Sequence, residues 1–247
     1  MKKVKENCYH NTMNIALGMI VKNERAILEK TLNHKAFWFD TKIAVDFMSN
    51  DFTNELLGLF YGFYVHRQEW QNNFALARNI VIQLAEEAGA NYLFMLDADE
   101  AMLKEDLDAL KELAEKHDVL AVPRYEFVQD FNHYDPTVYP DWQCRFFRLN
   151  KGYYFKNKLH EMLHDKNGKA VMSNAGFYTK VPKHHIYHYS KIVDRKRSVL
   201  KYVNYDRMSA GKPMLDSLPP DFDYTGAKLW TKAELFTNLH PLKNNET

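Results

Sequence analysis

The feature that most constrains this chain is the alternation of short apolar runs with amphipathic helical stretches, four times over in its first half. Asn14 to Val21 is a continuous apolar run, the pattern of a buried strand, and it ends in a polar loop at Lys22 to Glu24. Residues 25–36 read as a helix with Ile27, Leu28, Thr31 and Leu32 on one face. Lys42 to Val45 is a short strand ending at Asp46; Ser49, Asn50 and Asp51 then form a loop and cap before a helix over Phe52 to Phe60. Tyr61 to Val65 is the third strand. Residues 72–89 carry Ala77, Ile80, Val81, Leu84, Ala85 and Ala88 at helical spacing, and Gly89 terminates them. Asn91 to Leu96 is the fourth strand, running into Asp97-Ala-Asp-Glu100. Leu103, Leu107, Leu110 and Leu113 stripe the next helix, and Asp118 to Val128 is strand-like. This order predicts an α/β fold with a Rossmann-like, mostly parallel central sheet and helices on both faces. Ligands on such sheets bind at the carboxyl ends of the strands, where Asn23, Glu24, Asp46, Asp97 and Asp99 stand.

The second half changes character. Trp142 to Leu149, Phe177 to Val181 and Ile186 to Tyr189 are aromatic strands without alternating helices; residues 191–210 are basic and helical, and 226–239 predict a last helix. The expected division is a loose arm over 1–13, a domain over 14–190 with halves 14–128 and 129–190, and a C-terminal helical extension over 191–247. A length of 247 residues fits one domain of moderate size.

Composition narrows the function classes. Lys and Arg number 33 against 32 Asp and Glu, so the basic excess of a backbone-binding nucleic-acid protein is missing, and no nucleic-acid partner is expected. Two cysteines, Cys8 and Cys144, make neither a disulfide framework nor a Cys-rich zinc site. No run approaches the ~20 apolar residues of a membrane span. The charged start lacks the apolar stretch of a secretory signal, so the expected location is cytoplasmic, with room for peripheral contact at the inner face of the membrane. Aromatics reach 14%, which suits flat ligands such as sugars and bases, and equally a dense core.

Four constellations could carry chemistry. Asp97 and Asp99 alternate at a strand end and so converge on one side, a hard-oxygen site for Mg²⁺ or Mn²⁺; the competing reading is a solvated acidic helix start. His160-Glu-Met-Leu-His164 has the HExxH spacing of zinc hydrolases, with both His on one helix face and the Glu activating water. Against that stand the short space between Gly152 and Gly168, and Asn167 and Ala170 where the extended motif needs Gly and His. His160, His164, His184, His185 and His188 cluster in sequence, with His188 the strongest candidate as a ligand or acid/base group. Arg78 lies where it could reach an anion, whereas Arg145 and Arg148 read more readily as surface charges.

In these residues the chain resembles the family 2 glycosyltransferases of GT-A fold. Five blocks in the family's order carry the resemblance: Met19 to Glu24; Val45-Asp-Phe-Met-Ser-Asn-Asp-Phe-Thr53; Trp70 with Phe74-Ala-Leu-Ala-Arg-Asn79; Leu96 to Glu100; and Leu159-His-Glu161 after Arg145-Phe-Phe-Arg148. It is most similar to bacterial cell-surface and lipopolysaccharide-core glucosyltransferases. The resemblance implies a metal-dependent, inverting transferase that uses a nucleoside-diphosphate sugar, a UDP-sugar by expectation, and a hydroxyl acceptor on a glycan, a lipid-linked or another molecule. It implies that Val21, Lys22 and Asn23 hold the nucleobase, that Asp46 reads the uracil ring or ribose, and that Arg78 and Asp97 contact the donor. Asp97, Asp99 and His188 become the ligands of Mn²⁺ or Mg²⁺, and Glu161 the base. A homodimer is compatible with it, as is a catalytically inactive sugar- or nucleotide-binding module of the same fold. The chain departs from the family at Phe47 and Met48, where Thr-Gly is usual, and at Phe52, where Gly is usual.

Overall fold

The computed structural model describes residues 13–192, 195–215, 217–222 and 233–235. The first half alternates as the sequence predicts: β1 (Ile15–Val21), α1 (Arg25–Thr31), β2 (Thr41–Asp46), α2 (Thr53–Glu55), β3 (Tyr64–Arg67), α3 (Phe74–Glu87) and β4 (Tyr92–Met95). A two-residue β5 (Glu100–Ala101), α4 (Lys104–Ala114) and the long β6 (Val119–Glu126) follow. The second half holds β7 (His133–Tyr134), β8 (Asp141–Arg148), β9 (Tyr154–Lys156), β10 (Met162–His164), β11 (Thr179–Lys180), β12 (Ile186–His188), α5 (Arg195–Ser209) and β13 (Glu234–Leu235).

One sheet organises the molecule, in the order β3-β2-β1-β4-β8-β6-β12-β5, with β11 also paired to β6. Five of its eight pairings are parallel and three, β4 with β8, β6 with β8 and β5 with β12, are antiparallel. Successive strand residues point to opposite faces, and the core divides accordingly. Leu17, Phe94 and Phe146 pack on the side of α1 and α4 with Ile27, Leu28, Leu107 and Leu110. Ala16, Leu93 and Phe147 pack on the other side with Ala77, Val81 and Ala85 of α3. Gly18 sits where α3 approaches β1 most closely: a Cβ there would lie 2.5 Å from Val81 Cγ1 and 2.7 Å from Leu93 Cδ1. Asn73 caps α3 by accepting a hydrogen bond from Leu76 N at 3.1 Å, and Gly89, at φ +74°, ends it.

Several local expectations are revised. The helix expected over 25–36 stops at Thr31, whose hydroxyl donates to Ile27 O and Ala98 O, and a 3₁₀ turn over Asn33–Trp38 takes over. The helix expected over 52–60 begins as α2 and continues as a π-helix over Leu56–Phe60. Gly62, at φ +70°, delays the third strand to Tyr64. Of the helix expected over 226–239, residues 234–235 instead form β13, paired antiparallel to β7; 226–232 and 236–239 lie outside the described residues, as do residues 1–12 of the expected arm.

Candidate active site

At the carboxyl ends of β1 and β4 lies a cleft of about 1080 Å³. One wall is the loop after β1, and the segment after β2 fastens it in place. Ser49 Oγ accepts from Asn23 N at 2.8 Å, Thr53 Oγ1 from Glu24 N at 2.8 Å, and Asp51 Oδ2 from Arg25 N at 3.1 Å; Asn23 Oδ1 returns the link by accepting from Asn50 N at 2.9 Å. Val21, Lys22 and Asn23 line the cleft. Asp46 does not. Its carboxylate is fully buried, accepting from Ser49 N and Oγ and from Arg67 Nε at 2.8 Å, while the neighbouring Phe47 faces the cleft. Phe47, Trp70 and Phe74 meet edge to face, with ring centroids 4.8 Å apart in each contact.

The departures from small residues also become clear. Met48 and Phe52 hold φ of 56° and 66°, the left-handed conformation that glycine enters without penalty. The backbone of this segment therefore keeps a glycine-compatible path while carrying large side chains.

Asp97 is the hub of the opposite wall. Arg78 Nη2 donates to its oxygens at 2.9 and 3.2 Å, Arg145 Nη2 donates at 3.0 Å, and its backbone N donates to Glu100 Oε2 at 2.9 Å. Arg78 Nε donates at 2.6 Å to Glu161 Oε1, so one guanidinium joins the carboxylate after β4 to the one before β10. Burial alone would raise the Asp97 carboxyl; Arg145 and Arg78 outweigh it and hold the group well below the usual carboxylate range. Glu161 is likewise lowered, its burial outweighed by the charges of Arg78 and Arg145 and the Arg78 hydrogen bond. The Nη1 atoms of Arg78 and Arg145 are buried with no hydrogen-bond partner among the described residues, and both side chains line the cleft.

Asp99 is held more loosely. His188 Nε2 lies 3.4 Å from its Oδ1 and Lys201 Nζ, from α5, 3.5 Å from its Oδ2. His188 Nδ1 contacts Glu126 Oε2 at 2.7 Å, and Nε2 is buried with no hydrogen-bond partner among the described residues. A carboxylate behind an imidazole is how metal-bound histidines are oriented. Asp99 and His188 could hold a Mn²⁺ or Mg²⁺ through one oxygen and, once His188 gives up its proton, one nitrogen. Asp97 fits that ion less well, because arginine donors already engage both its oxygens. Among the described residues, no group of three or more His, Cys, Asp or Glu side chains converges as a closed metal site. Burial would lower His188, but Glu126 and Asp99 push it up to about 9.

The HExxH reading fails on backbone geometry. His160 has φ 54°, and Met162–His164 is a strand, so the helix face that would align His160 with His164 does not exist. The histidine cluster also disperses. His164 turns its Nδ1 to Met162 O at 2.8 Å, His184 pairs with Asp106 at 2.9 Å, His185 meets Tyr139 Oη at 3.1 Å, and of these three none lines the cleft. Arg145, read as a surface charge, is buried at the centre of the site; Arg148 does pair outward, 2.7 Å from Asp118. Sequence reasoning missed Arg124 and Glu126, although the two-residue period of β6 puts both on one face near its end. Arg124 donates to Glu100 at 2.8 Å.

A sheet of this order, with paired carboxylates where its fourth strand ends at the cleft, has the GT-A architecture. The chain belongs to glycosyl transferase family 2, whose family model matches residues 17–177. It is 28% identical over 154 residues to the SPbeta prophage-derived glycosyltransferase SunS of Bacillus subtilis (strain 168), and equally to glycosyltransferase SunS of Bacillus phage SPbeta. These alignments cover 61% of this chain and 35% of each relative, so the chain spans about a third of the length of the curated relatives it matches. The crystal structure of S. aureus TarS shares the fold, with a TM-score of 0.51 at 14% identity over 86% of this chain and 41% of that one.

Proposed function

We propose that this glycosyltransferase moves a sugar from a nucleoside-diphosphate sugar, a UDP-sugar, to a hydroxyl of a glycan, lipid-linked or other acceptor, with inversion at the anomeric carbon. One observation carries the reading: Glu161, Asp97 and Asp99 face a single cleft, with Arg78 tying the first two together. Lys22, Asn23 and the Phe47–Trp70 wall would receive the nucleoside, and Asp99 with His188 would hold a divalent cation. When bound, that cation would neutralise the diphosphate and so stabilise the leaving group. Glu161 takes the proton from the acceptor hydroxyl as the oxygen attacks the anomeric carbon; the bond from that carbon to the phosphate oxygen breaks on the opposite face, and the nucleoside diphosphate departs. Glu161 is ionised at neutral pH, the form that accepts a proton, and Arg78 fixes its position.

A thermal-shift panel of nucleotides and nucleotide sugars, with and without Mn²⁺, tests the reading. The expected result is a metal-dependent shift with a UDP-sugar that Asp99→Asn abolishes. No shift with any nucleotide would overturn it.

A further inference from the structure

Beyond the residues that match the family stands α5, and one stripe of it faces the cleft. Arg197, Lys201 and Tyr205 follow one another at four-residue spacing, one helical turn apart, and all three line the cleft. Arg197 pairs with Glu24 in the loop after β1. Tyr205 sets its ring 6.0 Å from Phe74 and 6.2 Å from His160. Lys201, between them, points at Asp99.

We infer that Lys201 is a binding residue for the diphosphate of the donor. This rests on the donor reading above. The Lys201–Asp99 pair is slack, at 3.5 Å with the lysine side chain 36% exposed, whereas a charge-assisted hydrogen bond closes to about 2.7–2.9 Å. Arg78 and Arg124, by contrast, are fixed by protein carboxylates at 2.6 to 2.9 Å, Arg78 keeping only its Nη1 for a ligand. Lys201 is therefore placed to turn from its carboxylate to an acceptor that closes to full hydrogen-bond distance. A lysine ammonium is a compact charge with three donors on a flexible stem, suited to phosphate oxygens whose positions differ between donors. Asp99, which would hold the cation that neutralises the diphosphate, lies 3.5 Å from Lys201 Nζ, so a diphosphate received there would be within the lysine's reach.

The test compares the affinities of uridine, UDP and inorganic pyrophosphate for the full chain, measured calorimetrically in Mn²⁺. Lys201→Met is expected to weaken UDP and pyrophosphate roughly tenfold or more while leaving uridine unchanged, since the loss is that of one charged hydrogen bond. Lys201→Arg should retain most of the affinity, and Lys196→Met, an exposed charge on the same helix, should change nothing. UDP affinity unaltered in Lys201→Met would overturn the inference, and so would an equal loss for uridine, which marks a structural role. If the unaltered protein binds neither UDP nor pyrophosphate, the donor reading itself fails.

Discussion

Arg78 Nε and Glu161 Oε1 lie 2.6 Å apart although 83 residues separate them in the chain. The pair sets both the position and the ionisation of the candidate base. A carboxyl held below its usual range stays ionised as the pH falls, so the base form persists into acid solution. In Arg78→Gln that support goes, and the acid limb of the kcat/KM–pH profile should move to higher pH, with a rate loss of about 10²-fold from misplacement. A limb that stays in place would show that Arg78 does not govern the base.

Glu161→Gln keeps the shape of the side chain and removes its basicity. Transfer should fall by roughly 10²–10⁴-fold, the usual worth of a general base, while donor affinity measured by calorimetry stays within a few-fold. A Gln variant that turns over at the wild-type rate would take Glu161 out of the role.

The His188–Glu126 pair predicts how the metal-free protein responds to pH. His188 is raised to about 9, so its share of stability is complete below the unfolded value near 6.5 and is lost as the pH rises through 9. Glu126 is lowered to about 2, its burial outweighed by His188, so its share is complete above the unfolded value near 4.5 and is lost as the pH falls toward 2. In the presence of a chelator, the unfolding temperature should therefore decline between pH 6.5 and 9, and His188→Gln should flatten that part of the curve.

Met48 and Phe52 occupy left-handed backbone at φ 56° and 66°. A non-glycine residue in that conformation costs about 1–2 kcal/mol, offset in part by the extra freedom glycine has when unfolded. Phe52 is 62% exposed, with Arg25 over its ring at 5.8 Å, so little packing is lost on its removal. Phe52→Gly should leave stability unchanged or raise it by up to about 1 kcal/mol in urea denaturation. A loss above that size would mean that the ring packs more strongly than its exposure suggests.

The sequence by itself determined the alternation of strands and helices, the strand ends at which Asn23, Asp97 and Asp99 stand, and the family. These follow from apolar periodicity and short ordered motifs, which are local. Only the tertiary structure decided what those residues face. Arg145 looked like a surface charge and is buried on Asp97, because the antiparallel insertion of β8 beside β4 brings it there. The HExxH spacing suggested a helix, but the left-handed His160 and the pairing of β10 with β9 turn it into a loop and strand that deliver Glu161 to Arg78. Asp46 kept its place at the end of β2 yet turned from the cleft to Ser49 and Arg67. Lys201 reached Asp99 from 102 residues away. Periodicity along a chain fixes which face of an element is apolar, but which charges meet across a cleft depends on sheet order and register, and no local window of the sequence contains those.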